Sequence, residues 1–266
     1  MRPAHEIDGR LLGVWTLIVC VFIVAPFFAV VAVSLTPLDY ISLPSEGISF
    51  RWYRRLLDEP VYLEAGINSV LLAAAASATA VVLGVLPAIA FVRYRFPMRD
   101  VVQLALTSPL FVPMVMTGLA ILTFFASMGW GSQYGRLYAG HCALTLPYVF
   151  RAACASLVGF DINQELAARN LGAGPVKAFL LITVPQLLPG LVAGAIFAFI
   201  VSFDNVGLSI FLTGAEVKTL PVELLAHVEN DNDPLSASLS VVMLILSIAV
   251  VLIAERLVGL QRMLKH

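Results

Sequence analysis

Charge is what this sequence has least of. Only 12% of its 266 residues are Asp, Glu, Lys or Arg, about half the roughly 25% of a soluble domain. Hydrophobic residues make up 60% of the chain. A soluble protein of this length could bury a good core, but it could not hide this much apolar surface. Cysteine is scarce too: Cys20, Cys142 and Cys154 lie in or beside apolar stretches at no metal-like spacing, and they read as small buried hydrophobes. There is no Gly-x-x-x-x-Gly-Lys to cradle a phosphate. No cluster of His, Cys or carboxylates has ligand or triad spacing, so no catalytic residue, metal site or cofactor is expected in this chain, and no nucleic-acid partner. Repeats, low-complexity tracts and linkers are also missing, which predicts one domain over residues 1–266.

What the chain has instead is long apolar runs. Residues 11–35, 67–92, 101–128, 187–211 and 235–260 are nearly free of charge. About 20 helical residues span the ~30 Å hydrocarbon layer. A weaker sixth run, 134–150, carries Arg136 and His141. The pattern predicts an all-α, polytopic membrane protein with six transmembrane helices. The first run is far longer than the core of a signal peptide and no Ala-x-Ala site follows it, so it is expected to stay as a helix.

Basic residues give the orientation. With the N-terminus inside, Arg2, Arg10, Arg93, Arg95, Arg99, Arg151, Arg169, Lys177, Arg256, Arg262 and Lys265 fall on the inner side, against Arg51, Arg54, Arg55, Arg136 and Lys218 outside. That distribution obeys the positive-inside rule and predicts that both termini are cytoplasmic. In the first outer loop, "FRWYRRLLDEPVYLEAG" reads as an amphipathic helix, with Arg51, Arg54 and Arg55 on one face and Trp52 and Tyr53 beside them.

One stretch between spans, residues 161–185, is not plainly membrane. Asp161 can cap a helix beginning near Ile162, with Gln164 three residues on as in a capping box. The helix runs through Glu165, Ala167, Ala168 and Arg169 to Leu171 and stops at Gly172, which suits a left-handed C-cap. Gly174 and Pro175 open a second helix that is expected to end at Pro185. The spacing predicts a helix-turn-helix knob on the cytoplasmic face, with a surface of small alanines fit to dock into another protein's groove.

These residues carry a resemblance. The stretch looks like the coupling loop of the permease subunits of binding-protein-dependent ABC importers, whose pattern is Glu-Ala-Ala, three residues, Gly, nine residues, then Ile-x-Leu-Pro. Ala167, Ala168 and Gly172 fit, and Ile182 to Pro185 fit with Val184 for Leu. The family's Glu falls on Leu166, while Glu165 stands one place earlier, turned by about 100° around the helix. Further segments, "WYRRLLDEPVYLEAGINSVLLA", "PLFVPMVMTGLAIL", "LTLPYVFRA" and "FDNVGLSIFLTG" before "TLPVELL", are similar to the second permease of polyamine-type importers. The resemblance implies a type I ABC importer permease fold in a bacterial inner membrane. It also implies a second permease subunit (paralogue or self), a cytoplasmic ATPase dimer that binds ATP and Mg, and a periplasmic solute-binding protein. Glu165, Ala167, Ala168, Arg169, Gly172, Ile182 and Pro185 would then form the ATPase-coupling element.

Asp204, 17 residues into the fifth run, is the candidate for the solute path, with Asn205 beside it. A carboxylate facing lipid costs a few kcal/mol, so it should face a cavity or a partner. Such a group suits a cationic solute, and it resembles the acidic position of polyamine permeases. The competing expectation is that Asp204 is satisfied structurally by Asn205, Ser202 or a partner helix. His141, Asn68, Gln103 and Thr145 read as packing or helix–helix hydrogen bonding. Two further alternatives stand beside the polyamine reading: an ABC importer permease for another small solute, and a stand-alone secondary transporter. Neither paired intramembrane charges nor inverted halves favour the latter.

Overall fold

Inside hydrocarbon every backbone N–H and C=O must find its partner within the protein, and a helix meets that demand within one segment. The computed structural model describes residues 9–43, 47–129 and 132–263, and regular structure among them is helical. Arg2, Lys265 and both chain ends, used above for orientation, lie outside the described residues. In order the helices are α1 (Gly9–Ser34), α2 (Arg51–Asp58), α3 (Pro60–Arg93), α4 (Arg99–Thr107), α5 (Met114–Ser127), α6 (Gln133–Val158), α7 (Ile162–Asn170), α8 (Pro175–Ala178), α9 (Val184–Phe203), α10 (Ser209–Leu212), α11 (Leu220–Asn230) and α12 (Leu235–Met263). Five helical stretches, Leu12–Ser34, Pro60–Arg93, Gln133–Val158, Pro175–Phe203 and Leu235–Arg256, are long and apolar enough to cross a membrane. The pair α4 and α5 makes a sixth if counted as one span.

Three spans differ from the runs read in the sequence. The third, expected as one helix over 101–128, breaks through a 3-10 turn at Ser108–Leu110, and its halves are bent by 105°. Pro109 and Pro113 explain the break, because neither can donate a ladder hydrogen bond. The fourth is longer than 134–150, so Arg151 lies within α6 rather than beyond its end. The fifth does not reach Phe211: α9 stops at Phe203, and a separate short helix follows.

The chain falls into two compact units. The smaller comprises residues 1–60 and 226–245. Within it the Trp52 indole is buried and donates to the Thr36 carbonyl at 3.1 Å, while the guanidinium groups of Arg51 and Arg55 stack at 4.7 and 5.7 Å from its ring centre. Trp52 is thus an internal anchor for α2. Arg55 also reaches Glu59 at 2.7 Å and Asp233 at 3.2 Å.

The larger unit, residues 61–225 and 246–266, is organised around α6. Val149 of α6 packs with Ala80 of α3 and Ala198 of α9. Towards Val158, Phe150, Ala153 and Leu157 pack with Ala88 and Leu187. At the other end Leu137 and Leu144 meet Leu208, Leu212 and Val217. Without a water-driven hydrophobic effect between helices, such contacts depend on close approach by small residues. The seam of α6 and α9 shows this. A Cβ at Gly190 would stand 3.2 Å from the Ala152 carbonyl, and one at Gly194 would stand 3.2 Å from Val149 Cα.

At Gly118 of α5 an added Cβ would fall 2.9 Å from the Leu208 carbonyl oxygen, which is backbone and cannot rotate away. Gly118→Ala should therefore lower stability by about 1–3 kcal/mol, the range for overpacking. Gly66→Ala, in open space on α3, should be neutral or mildly stabilising. Thermal unfolding of the two purified variants in detergent checks the contrast.

Candidate functional site: a helical hairpin and a broken span

The hairpin is built as its sequence dictates at the first turn. Asp161 is extended, and its carboxylate accepts the Asn163 N–H at 2.9 Å, capping α7. Gln164 does not complete a capping box; its side-chain oxygen instead accepts a hydrogen bond from Gln186 of α9. At the far end Gly172 has φ +93°, with its N–H on the Arg169 carbonyl and the Ala173 N–H on the Ala168 carbonyl. This pair of bonds is the Schellman ending, and the left-handed glycine makes it accessible. Gly174 and Pro175 then open α8.

Pro185 does not terminate that second helix. Helix continues from α8 through a π turn, Phe179–Thr183, directly into α9. Val184 N–H reaches back five residues to the Phe179 carbonyl. A proline ring at position 185 would clash with a carbonyl in a normal ladder; the widened turn just before it absorbs the misfit. Ile182, half-buried, and Thr183, fully buried, belong to this turn.

Glu165 faces inward. It is 7% exposed, and its Oε2 accepts hydrogen bonds from Arg93 Nη2 at 2.8 Å and from Thr183 Oγ1 at 2.6 Å. Arg93 Nη2 also donates to Thr183 Oγ1 at 3.0 Å, so the three groups close a triangle. The guanidinium lies 5.6 and 5.7 Å from the ring centres of Phe160 and Phe179. Burial alone would raise the Glu165 carboxyl; the hydrogen bonds from Thr183 and Arg93 and the charges of Arg93 and Arg169 outweigh it, leaving the group below its ordinary value. Arg93 and Thr183 were not singled out in the sequence, and no local spacing points to them.

The rest of α7 presents outward. Ala167 and Arg169 are exposed and Ala168 half-buried. Leu171 and Val176 are 90% and 70% exposed. Leu166 joins Tyr94, Val158, Phe160, Ile162 and Arg169 around a groove of about 620 Å³. A helix end with its carboxylate turned in and its apolar and cationic groups turned out can bind another protein without giving up its own anchor.

The second feature is the break after α9. Asp204 ends that helix, its N–H bonded to the Ile200 carbonyl, and its side chain is exposed. Among the described residues the Asp204 carboxylate takes part in no hydrogen bond or ion pair. Asn205 is buried instead: its Oδ1 accepts the N–H groups of Leu208 at 3.0 Å and Ser209 at 3.3 Å, restarting the helix, and its Nδ2 points at Met114 Sδ. Ser202 is occupied too, holding His141 Nδ1 at 2.7 Å while Ser209 holds Nε2 at 3.0 Å. The two groups expected to satisfy Asp204 structurally are thus both committed elsewhere. Thr145 bonds the His141 carbonyl one turn back within α6, and Asn68 donates to the carbonyl of Lys218 in the loop before α11. Among the described residues no group of three or more His, Cys, Asp or Glu could hold a metal ion.

Comparison with known proteins agrees with this architecture. The family described as "Binding-protein-dependent transport system inner membrane component" matches residues 80–262. The chain is 32% identical over 217 residues to the spermidine/putrescine transport system permease protein PotC of Haemophilus influenzae, covering 82% of this chain and 84% of that one. To the putrescine transport system permease protein PotI of Escherichia coli it is 31% identical over 220 residues, covering 80% and 78%. Among solved structures, a bacterial ABC transporter for import of the acidic polysaccharide alginate superposes with a TM-score of 0.64 at 17% identity, covering 97% of this chain and 99% of that one.

The inward carboxylate makes stability depend on pH in a definite direction. Because Glu165 sits below its ordinary value, its contribution is complete above about pH 4.3 and is lost as pH falls through the lowered value. The gap in thermal stability between the unaltered protein and Glu165→Gln should stay constant from neutral pH down to about 5 and close at more acid pH. A gap unchanged to about pH 3 would show that the charged pair is not what Gln removes.

Proposed function

The chain belongs to the family of binding-protein-dependent transport system inner membrane components, and we propose that it forms half of the membrane path of an ATP-driven importer for a small cationic solute of the polyamine class. It is a permease and not an enzyme; hydrolysis falls to a separate ATPase subunit. Residues 1–266 act as one permease domain. The partners are a second permease, a cytoplasmic ATPase dimer holding ATP and Mg, and a periplasmic solute-binding protein. The observation that carries the cationic solute is the unpartnered Asp204 carboxylate at a helix break. Non-helical backbone within a span is tolerated where it lines a cavity or protein, and an intramembrane charge with no internal partner marks a path or an interface. Similarity to the spermidine/putrescine and putrescine permeases supports the same solute class. The fold likeness to an alginate importer keeps another solute as the second reading, since alginate is acidic.

In this reading Ala167, Ala168, Arg169 and Gly172 of the hairpin meet the ATPase, with Ile182 and Pro185 shaping the turn behind them. Both termini and the hairpin are cytoplasmic. The positive-inside distribution supports this orientation. A reporter inserted after Ala173 and one fused after His266 should both read cytoplasmic; a periplasmic reading at either place contradicts the arrangement.

Asp204→Asn keeps the size and removes the charge. Uptake of radiolabelled putrescine per assembled complex should fall several-fold, with the amount of complex recovered and its basal ATP hydrolysis little changed. Unchanged uptake per complex would sink the solute-path assignment. Lower yield with normal uptake would identify Asp204 as a structural contact to a partner subunit.

A further inference from the structure

Resting on the reading that the hairpin docks the ATPase, we infer that Arg93, Glu165 and Thr183 are a three-way clamp that makes α3 and α9 follow α7 when the ATPase moves it. Each member belongs to a different element. Arg93 is the last residue of α3, Glu165 lies in the first turn of α7, and Thr183 ends the π turn that enters α9. All three pairwise links are present, at 2.8, 3.0 and 2.6 Å. Glu165 is 7% and Thr183 0% exposed, and reduced contact with water strengthens the links, although Arg93 and Glu165 still border the groove beside α7. The Phe160 and Phe179 rings flank the guanidinium and restrict its swing.

Connectivity shows why such a clamp is needed. From Glu165 to Arg93 the chain path is 72 residues long, so covalent linkage transmits nothing between them. From α7 to α9 the path is short, but it passes through the Gly172 ending, the Gly174-Pro175 step and a π turn. A push on α7 could be dissipated in that path. The clamp bypasses it, and the Gln164–Gln186 bond runs in parallel. Coupling between distant sites is carried by contiguous packed and hydrogen-bonded groups of this kind. The one-place offset of the carboxylate follows: Glu165 is buried and turned to Arg93 and Thr183, while Leu166, 46% exposed, is free of the clamp on the groove that Arg93 and Glu165 also border. These are positioning residues. None of the three has to touch the ATPase or the solute.

The test uses the reconstituted complex, with Cys20, Cys142 and Cys154 replaced by alanine and spin labels at exposed positions Asn170 of α7, Val82 of α3 and Phe197 of α9. Distances are measured without nucleotide and with a non-hydrolysable ATP analogue. In the otherwise unaltered protein, Asn170–Val82 and Asn170–Phe197 should be the same in both states, while Asn170 to a label on the second permease's hairpin should change. In Glu165→Ala both internal distances should shift or broaden with nucleotide. In the milder Thr183→Val, which deletes one hydroxyl, Asn170–Phe197 alone should do so, and Thr183→Ser should restore it. Internal distances that stay fixed in both variants, or that change with nucleotide before any substitution, overturn the clamp. If the hairpin-to-hairpin distance ignores nucleotide in the unaltered protein, the docking reading fails and the clamp falls with it. Gly172→Val, strained at φ +93° in open space and outside the clamp, separates the cases. Loss of ATPase stimulation there, with fixed distances in Thr183→Val, condemns the clamp alone.

Discussion

A backbone amide that loses its helical partner inside hydrocarbon has no water to turn to, at a cost of several kcal/mol. Three departures from straight helix among the described residues show how this cost is met. At the break after α9, Asn205 accepts the N–H groups of Leu208 and Ser209, where α10 begins. At the α4–α5 bend the residues are Pro109 and Pro113, which bring no N–H to satisfy. Before Pro185 the ladder is widened rather than cut, and Val184 still finds a carbonyl. The Asp204 carboxylate, at the break after α9, is by contrast a charged group with no hydrogen bond or ion pair among the described residues.

The same constraint explains the role of α6. With lipid as solvent, apolar area alone does not drive helix against helix, so the larger unit holds together by shape. Small residues on α3 and α9 bring those helices close to α6, and His141, lodged between Ser202 and Ser209, pins α6 to both sides of the break. At the opposite end of α6 the Arg93–Glu165–Thr183 triangle does the equivalent work for the hairpin. The solute-path candidate and the docking candidate are thus each anchored to the rigid part by buried polar groups.

Much of this was legible in the sequence. Run lengths pointed to the spans, because about 20 apolar helical residues match the hydrocarbon thickness. The third is nevertheless broken, the fourth outlasts its apolar run and the fifth stops short. Asp161, Gly172 and Gly174-Pro175 gave the hairpin, since caps and left-handed glycines act within a few residues of themselves. What escaped was non-local or compensated. The Glu165 partner lies 72 residues away, beyond any spacing rule. Pro185 looked like a stop because a proline's clash is local, whereas its relief by a π turn is a property of the whole ladder. Asn205 looked like a second path residue beside Asp204, but an amide that can cap is drawn inward when a helix must restart. Arg151, read as lying past the end of the fourth run on the inner side, is carried within α6 because the helix outlasts its apolar stretch.

The glycine seam between α6 and α9 has an evolutionary consequence. Gly190 and Gly194 face α6 at close range: a Cβ at Gly190 would meet the Ser156 side chain first and the Ala152 carbonyl next, and one at Gly194 would meet the Ala152 Cβ at 3.0 Å and Val149 Cα at 3.2 Å. A larger residue on α9 is therefore admitted only together with a smaller one at Ser156 or Ala152, and even then the backbone of α6 must give by a few tenths of an ångström. Change along this seam proceeds by paired exchanges, whereas the faces turned away from it can vary one residue at a time.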